Sequence, residues 1–256
     1  MLYFCGDTHF NIDISKLNMK SFPEQKYLTK NDYVIVCGDF GLLFDHKESG
    51  LTVPSNPKDT CWSKEELYWY NWYNERNFTT LWVDGNHESF NRLETYPITE
   101  WNGGKVQKIS DSIIHLMRGQ VYTIDGVTLF TMGGAASVDR GPQIGRPEDE
   151  GKIWWPQEDI TDADMREANY NLSQVDNKVD IIVTHDVPMD VRMQMGYYNN
   201  DLNAQKLQLI KDTVDYKAWF AGHWHRYSQY GKIQILYNQV VKYNNDGSWT
   251  KVTQNI

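Results

Sequence analysis

The chain lacks most of the features that would classify it by composition. Cysteine is scarce, with Cys5, Cys37 and Cys61 the only three in 256 residues, an odd number too small for a disulfide framework. None of them opens a Cys-x5-Arg phosphatase pattern, because the sixth residue after each is Asn11, Leu43 and Leu67, and thiol nucleophile chemistry is disfavoured on that ground. Positive charge is not in excess either. The net charge of −9 argues against an extended nucleic-acid interface, so any polyanion must be bound locally. No apolar run approaches the length of a membrane span, and only five apolar residues precede Gly6, without a basic start. The expectation is a soluble, cytoplasmic protein with no membrane partner. There is no repeat and no low-complexity segment, and the length suits a single α/β domain over residues 1–256. Oligomeric state leaves no mark. Aromatic residues are the exception to this scarcity: at 14% they exceed what a core needs, so some are expected to line a cleft.

One pattern recurs. Val34-Ile35-Val36-Cys37-Gly38-Asp39-Phe40-Gly41 is an apolar, β-branched run that stops at a glycine and a carboxylate, as a buried strand carrying an acid at its tip would. Alone, such a Gly-Asp pair is ordinarily a turn in which Asp bonds its own backbone. The design returns at Phe4-Cys5-Gly6-Asp7-Thr8-His9, at Leu81 to Glu88, at Ile181 to Asp186 and at Trp219 to His225. Five of the seven histidines (His9, His87, His185, His223 and His225) lie in these motifs. Strands alternating with helices bring their C-terminal tips to one sheet edge, where α/β proteins place their sites. Asp, His and Asn without thiolates form an oxygen and imidazole donor set that suits Mn, Fe, Co or Zn over a structural Cys-type zinc.

The remaining segments supply the frame. Ser63-Lys64-Glu65-Glu66 has capping-box form and opens a helix to about Asn77, with Leu67, Tyr70 and Asn74 at helical spacing and its aromatics packed on a sheet. Ile113–Leu116, Gln120–Ile124 and Val127–Met132 read as strands, the last two joined by Asp125-Gly126, and His115 as an ordinary strand residue. Thr161-Asp162-Ala163-Asp164 opens a helix to about Ser173, and capping explains its two acids better than aspartyl-phosphatase chemistry does. Strands are expected at Val179–Val183, Lys217–Phe220, Ile233–Tyr243 and Trp249–Val252, with a helix at Asn203–Val214. Residues 11–30 and 89–108 give no clean period beyond a short helix each. The irregular stretch 44–60 is a candidate wall of the site, with His46 a solvated loop residue.

Taken in order from Gly6-Asp7-Thr8-His9 through Gly38-Asp39, Gly85-Asn86-His87-Glu88 and His185 to Gly222-His223-Trp224-His225, the motifs resemble those of the calcineurin-like metallophosphoesterase superfamily. The resemblance implies a central β-sandwich of mixed sheets flanked by helices. It implies two divalent transition-metal ions, Mn first and Fe, Zn, Co or Ni as alternatives. One would be held by Asp7, His9, Asp39 and His225, the other by Asp39, Asn86, His185 and His223. It further implies in-line attack of a metal-bridging hydroxide on a phosphomonoester or phosphodiester. With that hydroxide, two ions and two carboxylates leave about one net positive charge at the centre, which attracts phosphate. His87 would contact a phosphate oxygen or protonate the leaving group, or else orient Asn86. Glu88 stands where many relatives have Asp. Asp39 is followed by Phe40-Gly41-Leu42-Leu43, so the Gly-Asp-x-x-Asp-Arg pattern of the Ser/Thr protein phosphatases is missing.

The substrate expected is a small phosphate ester or nucleotide. A nuclease acting on DNA ends or single strands is the alternative, disfavoured by the acidic charge and the short stretch after the last motif. A catalytically silent scaffold ranks lower, since every expected ligand is present. The long loop Gly133 to Pro156 is a candidate substrate lip, in which Arg140 or Arg146 could grip phosphate and Trp154, with Trp155, could stack on a ring. Its Gly-Gly-Ala-Ala-Ser-Val-Asp-Arg stretch resembles a bacterial and phage subset of the superfamily. Alternatively the arginines pair with Glu148, Asp149 or Glu150 and the tryptophans anchor the loop.

Overall fold

The computed structural model describes residues 1–43, 62–137, 150–151, 154–244 and 246–253. The expected 44–60 wall with His46, and Arg140 and Arg146 of the expected lip, lie outside the described residues.

Two mixed sheets form the frame. The first runs β14 (Trp249–Lys251), β13 (Val240–Tyr243), β1 (Leu2–Cys5), β2 (Tyr33–Cys37), β3 (Thr79–Val83), β6 (Ile113–Leu116), β5 (Gly104–Ser110) and β4 (Ile98–Trp101). Its centre, β1-β2-β3-β6, is parallel and its margins antiparallel. The second runs β11 (Ser228–Tyr230), β12 (Ile233–Ile235), β10 (Asp215–Ala221), β9 (Lys178–Thr184), β8 (Val127–Met132) and β7 (Gln120–Ile124), parallel from β12 through β8.

Two-residue periodicity sorts the side chains into layers. Leu2, Phe4, Ile35, Cys37, Leu81 and Val83 of the first sheet meet Ile181, Val183, Ala218 and Phe220 of the second in one buried cluster. Phe4 stacks on Phe220 across that interface, with ring centroids 4.2 Å apart. The alternate residues Tyr3, Cys5, Val34, Val36 and Trp82 face outward, under Tyr73 of α1 (Lys64–Asn74) and Phe78. Ile182, Trp219 and Ala221 likewise pack under Ala168 and Leu172 of α3 (Asp162–Ser173) and Leu207 and Ile210 of α5 (Leu202–Thr213). Parallel strands covered on both faces explain the near-continuous apolar runs read from the sequence. The architecture is the expected α/β sandwich flanked by helices. Cys5 and Cys37 are buried free thiols.

Several details differ from expectation. α1 keeps its Ser63–Glu66 capping box but stops at Asn74, and Leu67 is 47% exposed whereas Glu66 and Tyr73 are buried. Glu66 goes inward because Ser63 and Arg92, the latter from α2 (Phe90–Leu93), satisfy its carboxylate. The patternless 98–110 region is the β4–β5 hairpin. Its Asn102 and Gly103 both have positive φ, as a tight hairpin turn demands. Residues 11–30 hold two 3-10 turns, Ile14–Leu17 and Pro23–Tyr27. The Ile233–Tyr243 stretch is interrupted at 236–239, and α4 (Met189–Gln194) and β11 are additional elements. No helix among the described residues is long and apolar enough to cross a membrane.

Candidate active site

The tips of β1, β2 and β3 lie side by side because the strands are parallel neighbours, and backbone hydrogen bonds tie each tip loop to the next. The Asp39 carbonyl accepts from Thr8 N (3.1 Å) and His9 N (2.8 Å), which fastens the first motif to the second. Asp39 Oδ1 accepts from His87 N (2.8 Å), and Glu88 accepts from Phe40 N (2.8 Å) and Gly41 N (3.2 Å), which fastens the second to the third. Glu88 is therefore a brace beneath the site. Burial and the nearby Asp39 carboxylate push its pKa well above the usual carboxylate range.

The second sheet joins through its own tips. His185 Nδ1 donates to the Cys37 carbonyl (2.8 Å), Gly222 N donates to the His185 carbonyl (2.9 Å), and His223 N donates to Asp7 Oδ1 (3.0 Å). Glycine is required where these loops touch: a Cβ on Gly222 would meet Asp7 Oδ1 and one on Gly85 would meet Asp39 Oδ1. His9, Asp39, His223 and His225 all adopt positive φ, between 42° and 67°. Such conformations are uncommon for residues other than glycine, and four of them gather at this one sheet edge.

Donor atoms of Asp7, His9 and His225 lie within 4.8 Å of one another, as do those of Asp39, His185 and His223, and those of His9, Asp39 and His87. Asp39 Oδ2 is the common point, 3.2 Å from both His9 Nε2 and His185 Nε2. Asn86 Oδ1 lies 3.3 Å from His185 Nε2. All seven residues expected as ligands are thus brought together, and His87, expected to carry no metal, shares a cluster with two of them.

The donor set fits cations. With its Nδ1 hydrogen given to Cys37, His185 aims Nε2 at the place where the Asp39 and Asn86 oxygens already point. Burial works against a proton on His9, yet the Asp39 carboxylate and Asp13 outweigh it and push the pKa to about 9. Burial likewise opposes a proton on His185, where Asp39 and Asp7 raise the pKa to about 10. Two carboxylates that are themselves fully buried thus draw positive charge to this edge from whatever can supply it, which is the role divalent ions would take.

Behind the clusters lies a supporting shell that joins motif residues to side chains from elsewhere in the chain. His9 Nδ1 donates to Asp13 Oδ2 (2.8 Å), which orients the ring, and Lys16, fully buried, donates through Nζ to the carbonyls of Gly6 (3.1 Å) and Asp7. Asp186 accepts from Trp224 Nε1 (2.8 Å) and pairs with Arg192 (3.0 Å), which also pairs with Asp201 (2.6 Å), so the loop carrying His223 and His225 rests on a buried ionic group. Asp84 lies 3.2 Å from His115 Nε2 and is gripped by Arg118 through Nε (2.8 Å) and Nη2. His115, read as an ordinary strand residue, therefore belongs to the footing of the Gly85-Asn86-His87 loop. Of the supports outside the motifs, Asp13, four residues from His9, carried a local signal.

Of the expected lip, Gly134 N donates to the Asp84 carbonyl (2.9 Å), and a Cβ on Gly133 would strike the Asp84 side chain, so the loop leaves directly beside the third motif. Trp154 is partly exposed and accepts at its carbonyl from Gly151 N (2.8 Å). Trp155 is buried at 3% and packs on Phe90, as the anchoring alternative supposed.

A sandwich of mixed sheets whose parallel strand tips gather Asp, His and Asn donors around one shared carboxylate defines a metallophosphoesterase-type centre. This chain belongs to the calcineurin-like phosphoesterase family, whose profile matches residues 1–227. It is similar to the lariat debranching enzyme of Drosophila melanogaster, with 24% identity over 77% of this chain and 38% of that protein. The Schizosaccharomyces pombe lariat debranching enzyme is 25% identical over 77% of this chain and 43% of its own length. For the Arabidopsis thaliana enzyme the figures are 22%, 89% and 53%. The chain spans about two fifths to half of these relatives.

Proposed function

We propose that this chain is a dinuclear-metal phosphoesterase that hydrolyses phosphodiesters. The observation that carries the reading is Asp39, one of whose oxygens is 3.2 Å from a histidine of each of two donor clusters. Asp7, His9, Asp39 and His225 would hold one ion and Asp39, Asn86, His185 and His223 the other, manganese being the first choice. When bound, the ions would polarise the phosphoryl group and activate water for in-line displacement.

The chain's own groups do the rest. Asp39 would serve both ions, and His87, whose ring centroid is 5.4 Å from that of His9, would supply a proton to the departing oxygen. Trp154, partly exposed, would offer a stacking surface to the substrate. One domain, residues 1–256, carries all of this, and the cytoplasm is its compartment.

The choice of diester follows from the relatives' name. A phosphoesterase that opens a branch must cut a phosphate esterified on both sides. The substrate is on that account larger than the small ester expected from the sequence, although the net charge of −9 keeps its recognition local. Manganese-loaded protein should turn over a bis-aryl phosphodiester with kcat/KM at least about tenfold above that for the aryl monoester. The reverse order would overturn the diester reading, and degradation of linear single-stranded DNA at comparable rates would favour a general nuclease.

A further inference from the structure

Tyr237 occupies the irregular 236–239 stretch between β12 and β13, outside the residues that the family profile matches. The stretch is seated on the first and last motifs at once. Leu236 N donates to the Ala221 carbonyl at the tip of β10 (2.8 Å), and a Cβ on Gly6 would collide with the Leu236 carbonyl and Tyr237 Cα. From this seat the Tyr237 hydroxyl donates to Asp13 Oδ1 (2.8 Å), while Asp13 Oδ2 accepts from His9 Nδ1 (2.8 Å). The same ring stacks on the His225 imidazole, with centroids 4.6 Å apart and planes 3° from parallel.

Tyr237 therefore touches His225 directly and His9 through Asp13, the two histidines of the Asp7–His9–His225 cluster. His185 and His223 are oriented by other groups, His185 by the Cys37 carbonyl and His223 by the His185 ring, 5.0 Å away. We infer that Tyr237 is a positioning residue selective for one of the two metal sites, the one built on Asp7, His9 and His225. By holding Asp13 it keeps the His9 Nδ1 hydrogen committed, so that Nε2 faces the metal. By stacking on His225, whose side chain is 49% exposed, it confines a ring that would otherwise lose its freedom on binding.

The inference rests on the two-ion reading, and the experiment separates the two. Manganese binding is measured by calorimetry and elemental analysis on the wild type, Tyr237→Phe and Tyr237→Leu. The wild type should hold two ions. Tyr237→Phe, which keeps the stack and loses the hydrogen bond, should weaken one binding step about tenfold, and Tyr237→Leu about hundredfold, the range for removing an outer partner of a ligand. The other step should stay within about twofold. Equal weakening of both steps, or no change in either, would overturn the inference while leaving the two-ion reading intact. A wild type with fewer than two ions would overturn both. If Tyr237→Leu shows no cooperative melt, Tyr237→Phe decides alone, and an unchanged pair of steps in it counts against the inference.

Discussion

Asp39→Asn should lower kcat/KM by about 10³-fold or more, at least about 4 kcal/mol of transition-state stabilisation, and leave less than one metal ion per chain. The substitution is nearly isosteric. Asparagine can still accept from His87 N at Oδ1, and the backbone carbonyl that takes the Thr8 and His9 amides is untouched. What disappears is the negative charge at Oδ2, placed 3.2 Å from a histidine of each cluster. A single change thus weakens both ions, whereas His225→Asn, at the half-exposed edge, removes one ligand from one cluster and should cost less. Elemental analysis beside steady-state kinetics checks this. An Asp39→Asn protein with two ions and activity within about tenfold of wild type would refute the bridging role.

Removing the His87 imidazole should act on turnover rather than on loading. His87→Asn should keep two ions and lose about 10²- to 10⁴-fold in kcat, the range for general acid catalysis. The loss should shrink as the leaving group becomes more acidic, because a good leaving group departs without a proton. Equal losses across a leaving-group series would instead assign His87 to orienting the loop, consistent with its amide on Asp39. His87 also shares a donor cluster with His9 and Asp39. A variant that loads only one ion would therefore make it a ligand, so metal content is measured alongside the series.

The site was far more legible than its supports, and the reason is range. Each of the five tips couples an apolar strand to adjacent donor residues, so strand and chemistry are read in the same few positions. Asp84 stands inside a motif, yet its meaning depends on Arg118 and His115, which only strand pairing brings beside it. Tyr237 acts on His9 and His225 from a stretch whose strand pattern concealed a break at 236–239. Helical spacing predicts Leu67 inward, but Glu66 takes the place because Arg92 neutralises it, and burial of a paired charge leaves no periodic trace. The β4–β5 hairpin was available to a local reading: Asn102-Gly103 is a strong turn signal, obscured by the glycine that follows and by exposed strand residues on β4.

If one carboxylate joins two ions into a single working centre, a metal titration of chelator-stripped protein followed by diester hydrolysis reads it directly. Activity should stay low through the first equivalent of manganese, rise over the second and plateau at two ions per chain. Full activity at one equivalent, with no further gain at two, would contradict it.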